Sequence, residues 1–454
     1  MTQRQLLRPV AVAIVCVSAL LASTAPVVAQ NPKGHGKILA GFFEEWSIYY
    51  ANYNLADLES NGSAAKLSHL IYAFGDVSAS ATNPAADTCV IADPWADFED
   101  ASLPPVGGIP DVWPLYGNFA EILKLKQLHA GLKTLISLGG ASSAEAEAFS
   151  TAASTPAGRQ ALVSACINMF IVGNVGSDWN GNISAPGLFD GFNIDWEFPA
   201  AADKQNFTLL LAEFRRQLNA LSAQTGKQYL VTFFGPAGSQ NYTNIDLRQA
   251  AQQSDFITVQ GYDYAGSWES VTNHASPLFD SRQDPDFGQQ LDDNDTVTAY
   301  LKAGVPPQKY VMGVPLYAAG WTGVSAVNHG LYQNSSGASA VPMANGVGTC
   351  TDLSGNTPGC DPLLTQGAAT YATLAHLTAN GYRNYFDWSR IAVWLYNPTT
   401  QTFFTYDNPE TAALKTAYID LRVPGGLGGA AVWAVKDDDA NGTMVKTLAA
   451  GLGR

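Results

Sequence analysis

The sequence predicts an α/β protein, a (β/α)8 TIM barrel with a small α+β subdomain inserted between its seventh and eighth strands. Three observations carry this reading. Short apolar runs rich in β-branched and aromatic residues recur along the chain, with amphipathic stretches between them and no charged run breaking the series. That alternation builds a parallel sheet covered by helices. After an N-terminal leader the strand-like runs number eight, and more than a hundred residues separate the seventh from the eighth, far beyond an ordinary βα connection.

Taken in order, Arg4 and Arg8 precede an apolar run over 10–22 and then Pro26-Val27-Val28-Ala29. This is the layout of a secretory signal peptide spanning 1–29, and it leaves 30–454 as the exported barrel domain. The apolar run is too short to span a bilayer comfortably. Strands are expected at 38–43 (ILAGFF), 69–74 (HLIYAF) and, after a helix over 119–130, at 132–138 (LKTLISL). The fourth is 189–198 (FDGFNIDWEF). A helix follows over 202–225, with Leu209, Leu210, Phe214, Leu218 and Leu221 at helical spacing. Strands at 229–234, 256–261, 310–316 and 429–435 complete the eight. The insertion, 321–404, is rich in Gly, Ser, Asn and Thr, with a helix expected at 371–378 and strands at 392–396 and 402–406.

Apolar residues make up 46% of the 454, which is the composition of a well-cored globular chain. A net charge of −15 argues against nucleic acid and anionic membranes as partners. Loss of the leader removes Cys16 and leaves Cys89, Cys166, Cys350 and Cys360, an even number in an exported chain, which suggests disulfides. Cys350 and Cys360 flank a turn-rich segment and form the first expected pair; Cys89 with Cys166 follows by elimination. No Cys or His spacing resembles a metal site, so neither metal nor cofactor is expected.

The fourth strand carries the chemistry. Side chains alternate along a strand, so Asn193, Asp195 and Glu197 project one way and Phe192, Ile194 and Trp196 the other. Carboxylates in a core are costly unless paired, hydrogen-bonded or used. Two carboxyls at the end of a buried strand suit glycosidic-bond cleavage, with a purely structural hydrogen-bond network as the alternative at this point. Roughly 6–7 Å apart along one strand, they approach a bond from the same side, which disfavours an inverting scheme.

Asp190-Gly191-Phe192-Asn193-Ile194-Asp195-Trp196-Glu197 resembles the signature of glycoside hydrolase family 18, the chitinases and their relatives, Asp-Gly-x-Asp-x-Asp-Trp-Glu, with Asn at the fourth place. Further matches fall at the expected strand ends. Ser137-Leu138-Gly139-Gly140 is similar to Ser-x-Gly-Gly, and Gln260-Gly261-Tyr262-Asp263 to Met-x-Tyr-Asp. Gly313-Val314-Pro315-Leu316-Tyr317 is similar to Gly-x-Pro-x-Tyr, and Trp433 stands where this family has the tryptophan flooring the cleavage subsite. Ala318-Ala319 replaces the usual Gly-Arg, so the usual barrel-to-insert contact is not expected, and Phe42 replaces the usual tyrosine on the first strand.

The resemblance covers 35–454 and implies a secreted, monomeric chitinase acting on chitin or chito-oligosaccharides. In it Glu197 is the general acid and base, Asp195 holds the substrate's acetamido N–H, and Tyr262 aims the acetamido oxygen at the anomeric carbon. Asn193 is expected to donate its amide N–H to Asp195. Trp433, Asp263, Ser137, Trp268, Trp46 and Tyr264 are the expected substrate contacts, with Tyr49, Trp321 and Trp394 as further candidates for flanking subsites. Two other functions fit the same motifs: an endo-acting enzyme on the N-glycan core, and a non-hydrolytic chitin-binding relative.

Overall fold

Eight parallel strands close on themselves. They are β1 (Ile38–Glu44), β2 (His69–Ser78), β3 (Lys133–Gly140), β4 (Gly191–Trp196), β5 (Leu230–Gly235), β6 (Phe256–Val259), β7 (Tyr310–Pro315) and β8 (Gly429–Trp433). Each pairs with the next, β8 pairs with β1, and the barrel is complete. The coordinates are a computed structural model that describes residues 36–49, 51–178, 181–338, 341–342, 349–350 and 367–454. The leader 1–29 and Cys360, and with it the expected Cys350–Cys360 bridge, lie outside the described residues. No helix among the described residues is long and apolar enough to cross a membrane.

Strand alternation sorts the core into two. Outward residues such as Phe43, Leu70, Ile136, Phe192, Ile194 and Val314 pack against the surrounding helices. Inward residues fill the barrel: Ala40 and Phe42 from β1, Ile71 and Ala73 from β2, Leu135, Phe256, Val311 and Ala431. Layered side chains from successive strands make such an interior a packed core with its working end at the strand C-termini. The helix Lys204–Thr225 buries Phe207, Leu210, Leu211, Phe214 and Leu218, so its apolar stripe begins at Phe207, and Leu209 is 37% exposed.

Between β7 and β8 lies the second sheet. Strands Tyr317–Thr322, Arg383–Asp387, Ala392–Asn397 and Thr402–Tyr406 pair antiparallel, beside the helix Tyr371–Leu377. The sheet starts at Tyr317, earlier than the expected boundary at 321, because the chain reverses pairing immediately after Pro315–Leu316. Trp321 and Trp394, expected as subsite candidates, are its core: they are 0% and 6% exposed, and their indole N–H groups bond Glu269 O and His329 O.

The long segment after β6, residues 262–292, joins barrel to insert in place of the arginine absent at Ala319. Buried Arg390 pairs with Asp284 and bonds Phe279 O and Asn273. Lys415, fully buried, lies 2.9 Å from Asp407, 3.2 Å from Asp293 and 2.9 Å from Ser276 O. Elsewhere, strand Thr88–Ile91 extends β2 antiparallel, and Cys89 bridges to Cys166 with Cα atoms 5.0 Å apart.

Candidate active site

β4 sets the site by register. Ser137, Asn193 and Thr232 are level on β3, β4 and β5, and all three are 0% exposed. Thr232 Oγ1 donates to Asn193 Oδ1 at 2.9 Å, Asn193 Nδ2 donates to Ser137 Oγ at 2.9 Å, and Ser137 Oγ donates to Asp195 Oδ2 at 3.4 Å. The expected direct bond from Asn193 to Asp195 is thus replaced by a relay through Ser137. Neighbours two apart on one strand are about 6.6 Å apart, whereas level residues on adjacent strands lie about 4.8 Å apart, so the serine is the nearer partner. Ser137, expected at the substrate, instead lies beneath Asp195 and acts through it.

Gly139 is level with Asp195, with φ +107°, and a Cβ there would sit 2.4 Å from Asp195 O. Gly140, at φ +103°, faces the Phe74 ring in the same way. Both conformations suit glycine alone, and together they let β3 pass close beside the carboxylates.

Asp195 is 2% exposed. Burial pushes its carboxyl up to about 7, while hydrogen bonds from Glu197 and Ser137 pull the other way. Its Oδ1 is buried and accepts from no N–H or hydroxyl among the described residues, which leaves it to the Glu197 carboxyl. Glu197 follows the last residue of β4, and its carboxyl is held well above the usual range, first by burial, then by the charge of Asp195, its hydrogen bond to Asp195, and Asp263. Environments that leave one carboxyl protonated beside a more readily ionised one separate an acid from its partner.

Tyr262, 7% exposed, feels burial and the charges of Asp263, Glu197 and Asp195, all of which keep its hydroxyl protonated. Asp263 has φ +60°, a left-handed conformation that Asp tolerates better than most residues. Its carboxylate faces a cleft walled by protein and accepts from Tyr317 Oη at 2.6 Å; loss of hydration against that wall pushes it up, and the hydrogen bonds from Tyr317 and Gln260 pull the other way. Trp433 leans on Phe42 and Phe74, with ring centroids 5.2 Å and 5.8 Å away. Trp46 packs on Phe74 as well, at 5.8 Å, and Tyr49 Oη donates to Asp93 at 2.6 Å.

Asp263, Trp268, Tyr317 and Trp433 line one cleft of about 270 Å³ together with Glu44 and Lys436. A larger hollow of about 840 Å³ lies between the outer helices Pro409–Leu421 and Thr443–Gly451; none of the site residues lines it. Tyr264 is not brought to the cleft. It is 5% exposed, and its hydroxyl bonds Thr296 at 2.8 Å, because it points towards the helix Asp293–Ala303.

Sequence reasoning missed Thr232, Glu44 and Lys436. Lys436 Nζ lies 3.1 Å from Glu44 Oε2 and 2.9 Å from Asp437 Oδ1. Glu44 sits two places beyond inward Phe42 on β1, so strand alternation could have found it. For Lys436, on the turn after β8, the sequence offers no such signal.

The sequence profile described as Glycosyl hydrolases family 18 matches residues 38–438. Chitinase A1 of Niallia circulans is 31% identical over 458 residues, covering 91% of this chain and 58% of that protein. Chitinase 1 of Aphanocladium album is 28% identical, covering 97% of this chain and 91% of that protein. Among solved structures, the catalytic domain of psychrophilic chitinase B from Arthrobacter TAD20 superposes with a TM-score of 0.79 at 29% identity, covering 92% of this chain and 95% of that one. Chitinase ChiA74 from Bacillus thuringiensis gives 0.73 at 30% identity, covering 91% and 70%. The chain spans little more than half the length of the Niallia relative.

Proposed function

The chain belongs to glycosyl hydrolases family 18, and on that premise we propose that it is a chitinase, cleaving β-1,4 bonds between N-acetylglucosamine units with retention of configuration. One observation carries the reading. Protonated Glu197 stands beside buried Asp195, which takes hydrogen bonds from Ser137 and Glu197. Once Glu197 turns its proton to the glycosidic oxygen, Asp195 is left short of a donor, and an unpartnered buried acceptor is costly until a ligand N–H fills it.

The substrate's acetamido group supplies that N–H. Its oxygen, aligned by Tyr262, attacks the anomeric carbon while the C–O bond to the leaving sugar breaks and Glu197 donates its proton to the departing oxygen. The resulting oxazolinium cation is steadied by ionised Asp195. Water then adds to the anomeric carbon from the face left by the departing sugar, Glu197 takes the water's proton, and the acetamido group is restored. No opposed enzyme carboxylate is required, the substrate-assisted exception to the two-carboxylate scheme. Trp433 offers a flat apolar face to the reacting sugar, Asp263 and Trp268 contact the sugars in the cleft, and Trp46 extends the aromatic line.

Export is part of the proposal. The leader-like segment 1–29 and the Cys89–Cys166 bridge both suit an oxidising compartment. The test is incubation of the purified protein with chitin oligomers and, separately, with an N-glycopeptide, following products by NMR. β-Anomers released first from the oligomers are expected. First-formed α-anomers would sink the mechanism, and cleavage of the glycopeptide alone would replace chitin as the substrate.

A further inference from the structure

Trp268 is 68% exposed, a large apolar side chain standing in the cleft wall. Its support is unusual because the indole rests on backbone. Glu269 N bonds Gly266 O at 2.9 Å, closing a tight turn whose third residue is Trp268. The ring folds back over the first residue so closely that a Cβ on Gly266 would lie 2.2 Å from Cη2 and Cζ3. Only glycine leaves that space. Burial, with Asp286 and Asp284, pushes the Glu269 carboxyl up to about 7 and the neighbouring Trp268 side chain offsets part of that rise, while the Glu269 carbonyl accepts from Trp321 Nε1 at 3.0 Å.

Trp321 belongs to the insert and is 0% exposed. The segment that follows is bonded to the insert as well. Ser335 N donates to Ser270 O at 2.8 Å, Thr272 N to Gln333 O at 2.9 Å, and Tyr332 N to Thr272 O at 3.1 Å. The turn bearing Trp268 is therefore anchored at its far end in the inserted subdomain, and the indole lies against the Gly266 backbone with the Glu269 side chain beside it.

We propose that Gly266 and Glu269 are positioning residues that seat Trp268 as a preformed sugar platform, with the inserted subdomain as its abutment. The inference rests on the chitinase reading and adds the reason for an insert beside the cleft. An exposed side chain free to rotate loses rotamer freedom on binding, whereas one already seated does not. Neither residue touches the sugar; both act through the indole.

The test is the affinity of an N-acetylglucosamine hexamer for the full-length Glu197→Gln protein, measured by calorimetry without turnover. In that background Trp268→Ala should weaken binding roughly tenfold, the usual scale for a central aromatic. Gly266→Ala and Glu269→Ala should each weaken it about three- to tenfold, and Glu269→Gln, which keeps an acceptor, should restore most of the loss. Combined with Trp268→Ala, neither change should weaken binding further, since all three act through one ring. Parent-like affinity in both Gly266→Ala and Glu269→Ala would overturn the inference, as would losses that multiply with that of Trp268→Ala. Should Gly266→Ala fail to fold by circular dichroism, the Glu269 pair decides alone. Parent-like binding by Trp268→Ala overturns the platform while leaving the chitinase reading intact; that reading falls separately if the wild type cuts no oligomer.

Discussion

Replacing Asn193 by Asp exchanges an amide for a carboxyl where no solvent reaches. The amide is 0% exposed, accepts from Thr232 and donates to Ser137, both at 2.9 Å, which leaves the serine hydrogen for Asp195. An ionised carboxyl at this place has no N–H to give, so Ser137 turns its hydrogen to the new acceptor and Asp195 loses the serine's hydrogen bond. Two like charges two residues apart on a strand are about 6.6 Å apart. At an effective dielectric of about 20 they repel by about 2.5 kcal/mol, enough to raise a carboxyl pKa by close to 2. Relaxation trims this, so the coupled pair should titrate about one pH unit higher than Asp195 does beside the amide. The proposed mechanism needs ionised Asp195, and raising its pKa moves the acid limb of kcat/KM to higher pH. Stability follows the same sign. A carboxyl whose folded pKa is raised costs nothing below its unfolded value of about 4. As pH climbs from there through the folded value, a pKa raised by about 1 comes to cost about 1.4 kcal/mol. The assay is kcat/KM against pH on a fluorogenic chito-oligosaccharide, with thermal unfolding at pH 4 and pH 8. Superimposable profiles, or an acid limb moved to lower pH, would refute the relay.

Glu197→Gln should lower hydrolysis by several orders of magnitude while oligosaccharide binding, read by calorimetry, stays near wild type, because the amide keeps the shape but has no proton to give; more than trace turnover would remove Glu197 from the acid role. Phe42→Tyr, at a ring 5.2 Å from Trp433 and 2% exposed, should affect kcat/KM more in the Asn193→Asp background than alone, since a new hydroxyl gains a carboxylate to bond only there; simple additivity would show the two sites are uncoupled. Lys415→Met leaves Asp407 and Asp293 facing each other without a cation and should cost about 3–5 kcal/mol in urea unfolding; a loss below about 1 kcal/mol would show that the joint between the 262–292 segment and the helix Pro409–Leu421 does not depend on charge.

Much of the barrel was legible because its strands are long apolar runs, the form a strand takes when both its faces are buried. The ends were less legible. β3 runs on to Gly140 and β6 stops at Val259, because the positive-φ glycines of one and the tyrosine turn after the other are set by the site. The helix Ser143–Ala153 (SAEAEAFSTAA) buries Phe149, Ala152 and Ala153, too small a stripe to stand out as a period. Aromatic residue type proved a weak guide to exposure. Trp268 faces the cleft, while Trp321, Trp394 and Tyr264 face packed interiors, and nothing in a tryptophan's identity tells which side of the backbone its neighbours occupy.

The site was legible for a different reason: polar residues on an apolar strand need partners, and the partners lie level on adjacent strands. What sequence could not supply was the direction of the bonds. Turning the Asn193 amide over would still satisfy it locally, since Thr232 Oγ1 has Phe192 O within 3.2 Å as another acceptor. Ser137 would then donate to the amide oxygen, leaving both oxygens of Asp195 without a donor from the barrel. Only the observed orientation serves Asp195. An amide has a fixed donor end and a fixed acceptor end, whereas a carboxyl changes role with its proton. With Asn at 193, the chain from Thr232 to Asp195 keeps one direction at every pH, and the support of Asp195 becomes a matter of packing rather than titration.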